Sequence, residues 1–390
     1  MTAGSVAGDL ITFLIYSPFP KYSGGRENWL HHLAPHLGAH GRKVHVIAYA
    51  TNRTPFYSVE KSGVGVVALP SVRYFFSAFK FLNRATFGLL KYVDIFFFYP
   101  IVAAIRLAWT RPRSLVCMNP IPEGIAALLA GIPYVVSVRG DVPKGLADPF
   151  TFLERPFRWL ERQILLRARK VLANGADTQQ RLAGAGIGST LVPNGVDFAR
   201  FAEPAPRSEV GAELERRSGG RPIIAFIATL DAMRGVIDAI DCAAELKARE
   251  PNFMLAMVGK GDTGRFESRL QARGLAGWVE FMGETKSVPD VLGRSSVFLA
   301  LSRGNGISMS ALEAMAAGVP IVARDVLTYR QLIEHGRSGL LASDPTALAE
   351  CCLQLLRDPE RALALGREAQ AVARNYDWPR IAEVFLAAIS

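Results

Sequence analysis

The chain has 390 residues, half of them apolar, with 45 Lys/Arg against 35 Asp/Glu, 6 His and 4 Cys. That length and composition suit two sizeable cores and exclude a low-complexity or disordered chain. Cys117, Cys242, Cys351 and Cys352 include no C-x-x-C pair, which argues against a disulfide framework or a thiolate zinc site and fits a reducing cytoplasm.

The positive charge is one-sided. Residues 1–200 carry 23 basic and 11 acidic side chains, residues 201–390 carry 22 and 24. An anionic partner is therefore expected for the first half only: a membrane surface, a diphosphate-bearing acceptor or nucleic acid. No nucleic-acid module or basic–aromatic platform is present, so nucleic acid is set aside.

In chain order, "MTAGSVAGDLITFLIYSPFP" lacks the basic start of a signal peptide, and its apolar run reads as a strand. A glycine turn and the helix "ENWLHHLAPHLGAHG" follow, then the strand "KVHVIAYA". Residues 72–107 break the pattern. They are aromatic, basic and helical in period, with Arg73, Lys80, Arg84 and Lys91 on one face and Phe75, Phe76, Phe79, Phe87 and Leu90 around another. Two readings stay open: a basic amphipathic helix on an anionic membrane interface, or an ordinary helix covering the sheet. Asp94 and Pro100 interrupt Tyr92–Ile105, and no transmembrane helix is expected. Further strands are "SLVCMNP", "PYVVSVRG" and "KVLANG"; the basic segment 155–170 between the last two reads as a solvated helix face. Cys117 reads as a buried structural thiol rather than a nucleophile.

"LVPNGVDFARFAEPAPRSEVG" (191–211) lacks periodicity and marks a domain boundary. Beyond it come the strands "PIIAFIATL", "FMLAMVGKG", "VEFMG", "SVFLALS", "PIVARD" and "GLLAS", each followed by a turn and a helix pattern. Such alternation predicts α/β architecture with parallel, doubly covered sheets. Ligands then bind at strand carboxyl ends, and two facing sheets would frame a cleft.

Glycines stand where strands meet helices: Gly24 and Gly25, Gly259 and Gly261, Gly304 and Gly306. They let backbone approach a ligand and leave helix N-termini to an anion, which points to a phosphate-bearing ligand. Neither a G-x-x-x-x-G-K-[ST] loop nor a G-x-G-x-x-G turn with a following acid occurs, which disfavours ATPase and dinucleotide-dehydrogenase readings. Histidines 31, 32 and 36 share one helix without a further ligand motif, so no metal site is expected. Glu27 fits a salt-bridged helix start as well as a functional role. Glu313 has two readings: partner of Ser310 in an S-x-x-E capping box, or a carboxylate that holds ribose hydroxyls while the amides of Ser308, Met309 and Ser310 hold a diphosphate.

The segment "SRGNGISMSALEAMAAGVPIVARD" resembles the signature of glycosyltransferase family 4, retaining enzymes of the GT-B fold. "GGRENWLHHLAPHLGAHGRKVHVI", "LVPNGVDFARF", "MVGKGD", "VEFMGE" and "NYDWPRIAEVFLAAI" resemble other family segments in order and spacing. The resemblance implies two facing Rossmann-like doubly wound domains with a central cleft. Residues 1–200 would bind the acceptor, 201–374 the nucleotide sugar, and 375–390 would form a helix crossing back.

It also implies a donor site built from Gly24, Gly25, Thr229, Arg234, Gly259, Lys260, Met282, Thr285, Asn305, Gly306, Ile307, Ser308, Met309, Ser310 and Glu313, with Arg234, Asn305 and Arg139 nearest the chemistry. Glu313 matches the second Glu of the family's E-x7-E pattern, the ribose ligand; the first is Asn305, an amide without charge to stabilise an oxocarbenium. The family's diphosphate-binding Arg and Lys correspond to Thr229 and Arg234. Arg139 stands where many relatives have His; it cannot act as a base, but it could bind an anionic acceptor or the donor phosphate. No D-x-D motif occurs.

The implied activity is metal-independent transfer of a hexosyl group, with retention, from a GDP- or UDP-linked sugar and with no other cofactor. The acceptor would be a saccharide or lipid-linked molecule at the cytoplasmic face of a membrane, in polysaccharide, lipopolysaccharide or glycolipid synthesis. Thr229 and Asn305 leave open a second reading, a degenerate GT-B protein that binds without transfer. An epimerase lacks a candidate acid/base pair.

Overall fold

The structure, a computed structural model, describes residues 10–17, 19, 24–49, 58–61, 64–69, 92–147, 151–303 and 306–390. The chain divides into two compact units, Met1–Pro193 with Ile381–Ser390, and Asn194–Arg380. The final helix, Trp378–Ile389, therefore has its first three residues in one unit and the rest in the other.

The first unit is built on an eight-stranded sheet of β1 Leu10–Leu14, β2 Lys43–Tyr49, β3 Ser58–Lys61, β4 Val64–Leu69, β5 Ser114–Cys117, β6 Val135–Val138, β7 Lys170–Ala173 and β8 Thr190–Leu191, in the order β3-β4-β2-β1-β5-β6-β7-β8. Every pairing is parallel except β3 with β4. β1 is central, with Leu14 opposite Ile47 on one side and Cys117 on the other. Strands buried on both faces must be apolar throughout, which is why they read as continuous runs. Cys117 is a fully buried core residue. The final helix returns Phe385 to this unit, where its ring stacks on Phe13 at 5.7 Å and meets Trp29 edge-on at the same distance.

The hairpin β3–β4 and the two-residue β8 are absent from the sequence reading. "SVEKSGVGVVAL" is too glycine-rich and too weakly alternating to signal a hairpin. Of residues 72–107 the structure describes 92–107. A π-helical turn, Asp94–Phe98, runs into the helix Tyr99–Thr110 there. Arg73, Lys80, Arg84, Lys91, Phe75, Phe76, Phe79, Phe87 and Leu90 lie outside the described residues.

The second unit holds a six-stranded, wholly parallel sheet of β9 Ile223–Ile227, β10 Met254–Val258, β11 Val279–Gly283, β12 Val297–Ala300, β13 Ile321–Arg324 and β14 Leu340–Ala342, in the order β11-β10-β9-β12-β13-β14. Alternation along the strands builds two cores. Ile224, Phe226, Leu255, Met257, Val297 and Leu299 pack with the helices Val236–Lys247 and Pro345–Arg357. Ala225, Phe298 and Ala300 pack on the other face with Leu312, Met315 and Tyr329. Among the described residues no helix is long and apolar enough to cross a membrane.

Candidate functional site

In the second unit the chain winds outward from β9 through β10 to β11, then restarts at β12 and winds the other way. The switch falls between β9 and β12, which are neighbours, with Val297 opposite Ile224. Loops leaving two such strands diverge, and the gap between them is a natural ligand crevice. A solvent-open cavity lies there, walled by the ends of β9 and β12 and by Thr229, Arg234, Ser302, Ser308 and Ser310.

The walls are fixed by backbone packing. The loop after β10 lies against the loop after β9: Leu230 N donates to Lys260 O at 2.9 Å and Ala228 N to Val258 O at 3.1 Å. Gly259 has φ +144°, and a Cβ there would sit 1.8 Å from the Ala228 carbonyl oxygen, so only glycine fits. Lys260 is exposed beside it. After β9, Asp231 caps the short turn Ala232–Arg234 by accepting from Arg234 N at 2.9 Å. Gly235 follows at φ +91°, where a Cβ would come 2.5 Å from Leu301 Cβ. Arg234 is thereby held at the cavity, exposed, its guanidinium without a partner among the described residues.

Two other arginines at these strand ends are committed elsewhere. Buried Asp238 pairs with Arg303 at 3.1 Å and with Arg324 at 2.5 Å. Arg324 Nε also donates to Leu301 O at 3.2 Å. Sequence reasoning passed over this brace, because its members are 65 or more positions apart.

The helix Met309–Ala316 begins at the cavity. Its N-cap is Ser308, whose side chain makes no capping bond; Ser308 Oγ and Ser310 Oγ lie 2.8 Å apart instead. The capping-box reading is therefore corrected: Ser310 is the second helical residue, and Glu313 lies too far along to reach the N-cap amide. Leu312 N to Ser308 O, 3.2 Å, is the first helical bond, which leaves the amides of Met309, Ser310 and Ala311 without an intrahelical acceptor. Ile307 is buried, and its carbonyl accepts from Asn194 Nδ2 at 2.6 Å. Asn194 thus pins the loop that delivers the helix; its only sequence signal was its place in "LVPNGVDFARF". Gly306 is described, whereas Gly304 and Asn305 lie outside the described residues.

Glu313 is half-buried on this helix, with no hydrogen-bond partner among the described residues. Burial raises its pKa from 4.5 to about 7, opposed by the charge of Arg200. At the far side of the sheet Met282 is half-buried, and Thr285 Oγ1 accepts from Ser287 N at 3.0 Å.

The first unit has a switch point of its own, between β1 and β5. Gly24 and Gly25 open the helix Gly25–Ala39 there. Arg139, at the end of β6, lies 3.5 Å over the Trp29 ring and donates to Ser137 Oγ at 3.1 Å and Val192 O at 3.3 Å. Burial lowers its pKa. A cluster that sequence reasoning missed surrounds buried Glu123. Its Oε1 accepts from Tyr16 N at 2.9 Å and pairs with Arg26 at 3.5 Å, and burial pushes its carboxyl up to about 7. Arg26 also lies 3.8 Å from Glu27, so Glu27 takes the salt-bridged role. Tyr16 Oη donates to buried Asp94 at 2.8 Å. These residues are about 80 to 110 positions apart, and nothing local in sequence links them.

Among the described residues no three His, Cys, Asp or Glu side chains are grouped to hold a metal ion.

Residues 23–200 match the family model Glycosyltransferase Family 4, and residues 221–358 match Glycosyl transferases group 1. The chain is 28% identical over 285 residues to alpha-maltose-1-phosphate synthase of Mycolicibacterium smegmatis, covering 66% of this chain and 73% of that one. It is 28% identical over 218 residues to the lipopolysaccharide core biosynthesis mannosyltransferase LpsB of Rhizobium meliloti, covering 49% and 61%; the match spans less than two thirds of that relative. Sucrose-phosphate synthase from Thermosynechococcus elongatus superposes with a TM-score of 0.78 at 18% identity, over 97% of this chain and 98% of that one. Anabaena HepE in complex with UDP-glucose gives 0.72 at 17%, over 97% and 98%. These solved structures show the fold, two Rossmann-like domains of the GT-B type.

Proposed function

We propose that this chain, which belongs to the family 4 glycosyltransferases, moves a hexosyl group from a GDP- or UDP-linked sugar to an acceptor with retention of configuration. The observation that carries the reading is the cavity at the β9/β12 switch point. It joins an unpaired arginine to the N-terminus of the helix Met309–Ala316, two groups that suit a diphosphate, and the same helix carries the carboxylate of Glu313 further along.

In this reading the amides of Met309–Ala311 and the hydroxyls of Ser308 and Ser310 receive the diphosphate. Arg234 neutralises the charge that builds on it as the sugar departs. Glu313, ionised, accepts hydrogen bonds from the ribose hydroxyls. Gly259, Lys260 and Gly306 shape the phosphate loops, Ile307 anchors them, and Met282 and Thr285 flank the base. Asn305 hydrogen-bonds the transferred sugar. Thr229 offers a hydroxyl where a cation would have added charge. Gly24 and Gly25 expose backbone at the first unit's own switch point, and Arg139 shapes that unit's site through Trp29.

The bond from the anomeric carbon to the phosphate oxygen breaks, and the bond to the acceptor oxygen forms on the same face. The acceptor proton passes to the departing phosphate oxygen, so no general-base side chain is required. Arg234 and the helix N-terminus supply the charge stabilisation that a metal ion provides elsewhere.

The acceptor is proposed to be lipid-linked and met at the cytoplasmic face of a membrane, in cell-surface polysaccharide, lipopolysaccharide or glycolipid synthesis. The basic surplus of residues 1–200 and the similarity to a lipopolysaccharide core mannosyltransferase support this. A second reading, a non-catalytic binding subunit, draws on Thr229, an uncharged side chain at the cavity. Incubation with each nucleotide sugar and a lipid extract separates them. Release of nucleoside diphosphate with an anomerically retained product supports transfer, and tight binding without turnover supports the second reading.

A further inference from the structure

The helix Tyr99–Thr110 and the turn before it carry an exposed apolar stripe outside the core of the described residues. Val93, Phe97, Ile101, Ile105 and Trp109 recur every fourth residue and are 40, 65, 51, 65 and 81% exposed. Their neighbours Ile95, Tyr99, Ala103, Ala104 and Leu107 are buried in the core, so the exposed set forms a second, outward face. The next helix, Ile125–Leu129, packs against this one and adds Leu128 and Leu129, both exposed. Single exposed apolar residues need no explanation, but an aligned row with two large aromatics does.

The charge around the stripe has one sign. Along the stripe's own segment, residues 93–113, the one acid is Asp94, which is fully buried and accepts from Tyr16 Oη, while Arg106, Arg111 and Arg113 are basic. Arg111 and Arg113 are exposed just past the helix end, and the Arg106 guanidinium lies 5.6 Å from the Trp109 ring centre. An apolar row ending in Trp with Arg beside it matches the depth profile of a bilayer interface: aliphatic groups at the acyl boundary, indole and guanidinium at the headgroups. A second copy of this chain fits less well, because self-association would bring like-charged arginines together without an acid to separate them.

We infer that the face formed by Val93, Phe97, Ile101, Ile105 and Trp109 docks the first unit on an anionic lipid surface. The inference rests on the proposal that the acceptor is lipid-linked, and it names the part of the chain that meets the lipid. The other exposed aromatic set, Phe152 and Trp159 on and beside the helix Glu154–Arg167, has Glu154 and Asp141 paired to Arg158 nearby and serves as the contrast surface.

The test is co-sedimentation of the full chain with phosphatidylcholine vesicles, with and without phosphatidylglycerol, alongside Trp fluorescence and nucleotide calorimetry. The wild-type protein is expected to bind the anionic vesicles, less so at high salt, with Trp109 emission shifted to the blue and quenched by brominated lipid. Phe97→Ser with Ile105→Ser should lower the partition coefficient about tenfold or more. Trp109→Phe should remove the lipid quenching, and Trp159→Phe should leave it. Nucleotide binding should be unchanged in all of them, which also shows that they fold.

Vesicle binding unaffected by the double variant overturns the inference. So does quenching that follows Trp159, a concentration-dependent dimer that the double variant abolishes, or a Trp109 already shielded from aqueous quencher by the chain itself. Wild-type protein that binds nucleotide but no vesicle also overturns it. Vesicle binding in a protein that binds no nucleotide overturns the proposed function and leaves the docking face standing.

Discussion

Replacing Glu313 by glutamine should raise the stability of the empty protein and weaken nucleotide binding in the same variant. Burial lifts the carboxyl from 4.5 to about 7, so the folded state favours the protonated form and charging it there is costly. Stability falls as pH rises from the unfolded value through the folded one, and the loss is complete above about pH 7.5. A shift of about 2.5 units corresponds to about 3 kcal/mol, an upper bound for a half-buried group. Glutamine carries no such penalty. The variant should unfold several degrees higher than wild type at pH 8 and at the same temperature at pH 4.5. Binding runs the other way. Hydrogen bonds to a charged acceptor contribute about 1.5–3 kcal/mol, so the variant should lose roughly 10- to 150-fold in affinity at pH 8. With a nucleotide sugar as ligand, whose diphosphate diester does not titrate in this range, wild-type affinity should climb between pH 5.5 and 7 with a proton released on binding, and the variant should show neither. Thermal unfolding at the two pH values and calorimetry in buffers of different ionisation enthalpy read both effects. A variant with wild-type affinity and the wild-type pH profile refutes the ribose assignment; no relative stabilisation at pH 8 refutes the account of the buried carboxyl.

Arg234→Ala should weaken nucleoside diphosphate binding by roughly 10- to 150-fold while leaving the nucleoside unaffected, and Arg234→Lys should recover only part, because a point charge replaces a two-pronged donor; titration with both ligands checks it. Gly259→Ala sets a Cβ 1.8 Å from the Ala228 oxygen and should destabilise the protein by about 3 kcal/mol or more. Gly293→Ala, where a Cβ meets nothing within 4 Å, should cost far less in the same denaturant titration. Asp238→Asn leaves Arg303 and Arg324 without their shared carboxylate and should destabilise by about 3 kcal/mol in chemical unfolding.

The parallel strands of the second unit were legible because most are short apolar runs, Glu280 in β11 and Arg324 at the end of β13 being the charged exceptions, each followed by a turn and a helix period, and the cavity follows from where their order reverses. Arg234, Ser308 and Ser310 could be placed for the same reason: each stands a few residues beyond a strand that the sequence announces. The helix start near Ser310 was legible, but its cap was not. Ser308 and Ser310 are both acceptable caps, and only the backbone angles decide between them. Glu123 with Arg26, and Asp238 with Arg303 and Arg324, escaped because ion pairs between distant segments leave no periodic trace. The segment 72–107 was open to a membrane-interface reading, but the face named there was Phe75, Phe76, Phe79, Phe87 and Leu90, and the exposed row from Val93 to Trp109 was not singled out. On a helix that is apolar nearly all round, sequence cannot tell which side faces the core; burial can.

The most direct measurement is calorimetric titration of the full chain with UDP, GDP and ADP and their common sugar conjugates, repeated on Glu313→Ala. The account predicts that UDP or GDP binds, that ADP binds more weakly or not at all, and that the variant loses most of the affinity. A folded protein that binds none of them, or a variant that binds as well as wild type, would contradict the assignment of the β9/β12 cavity as a nucleotide-sugar site.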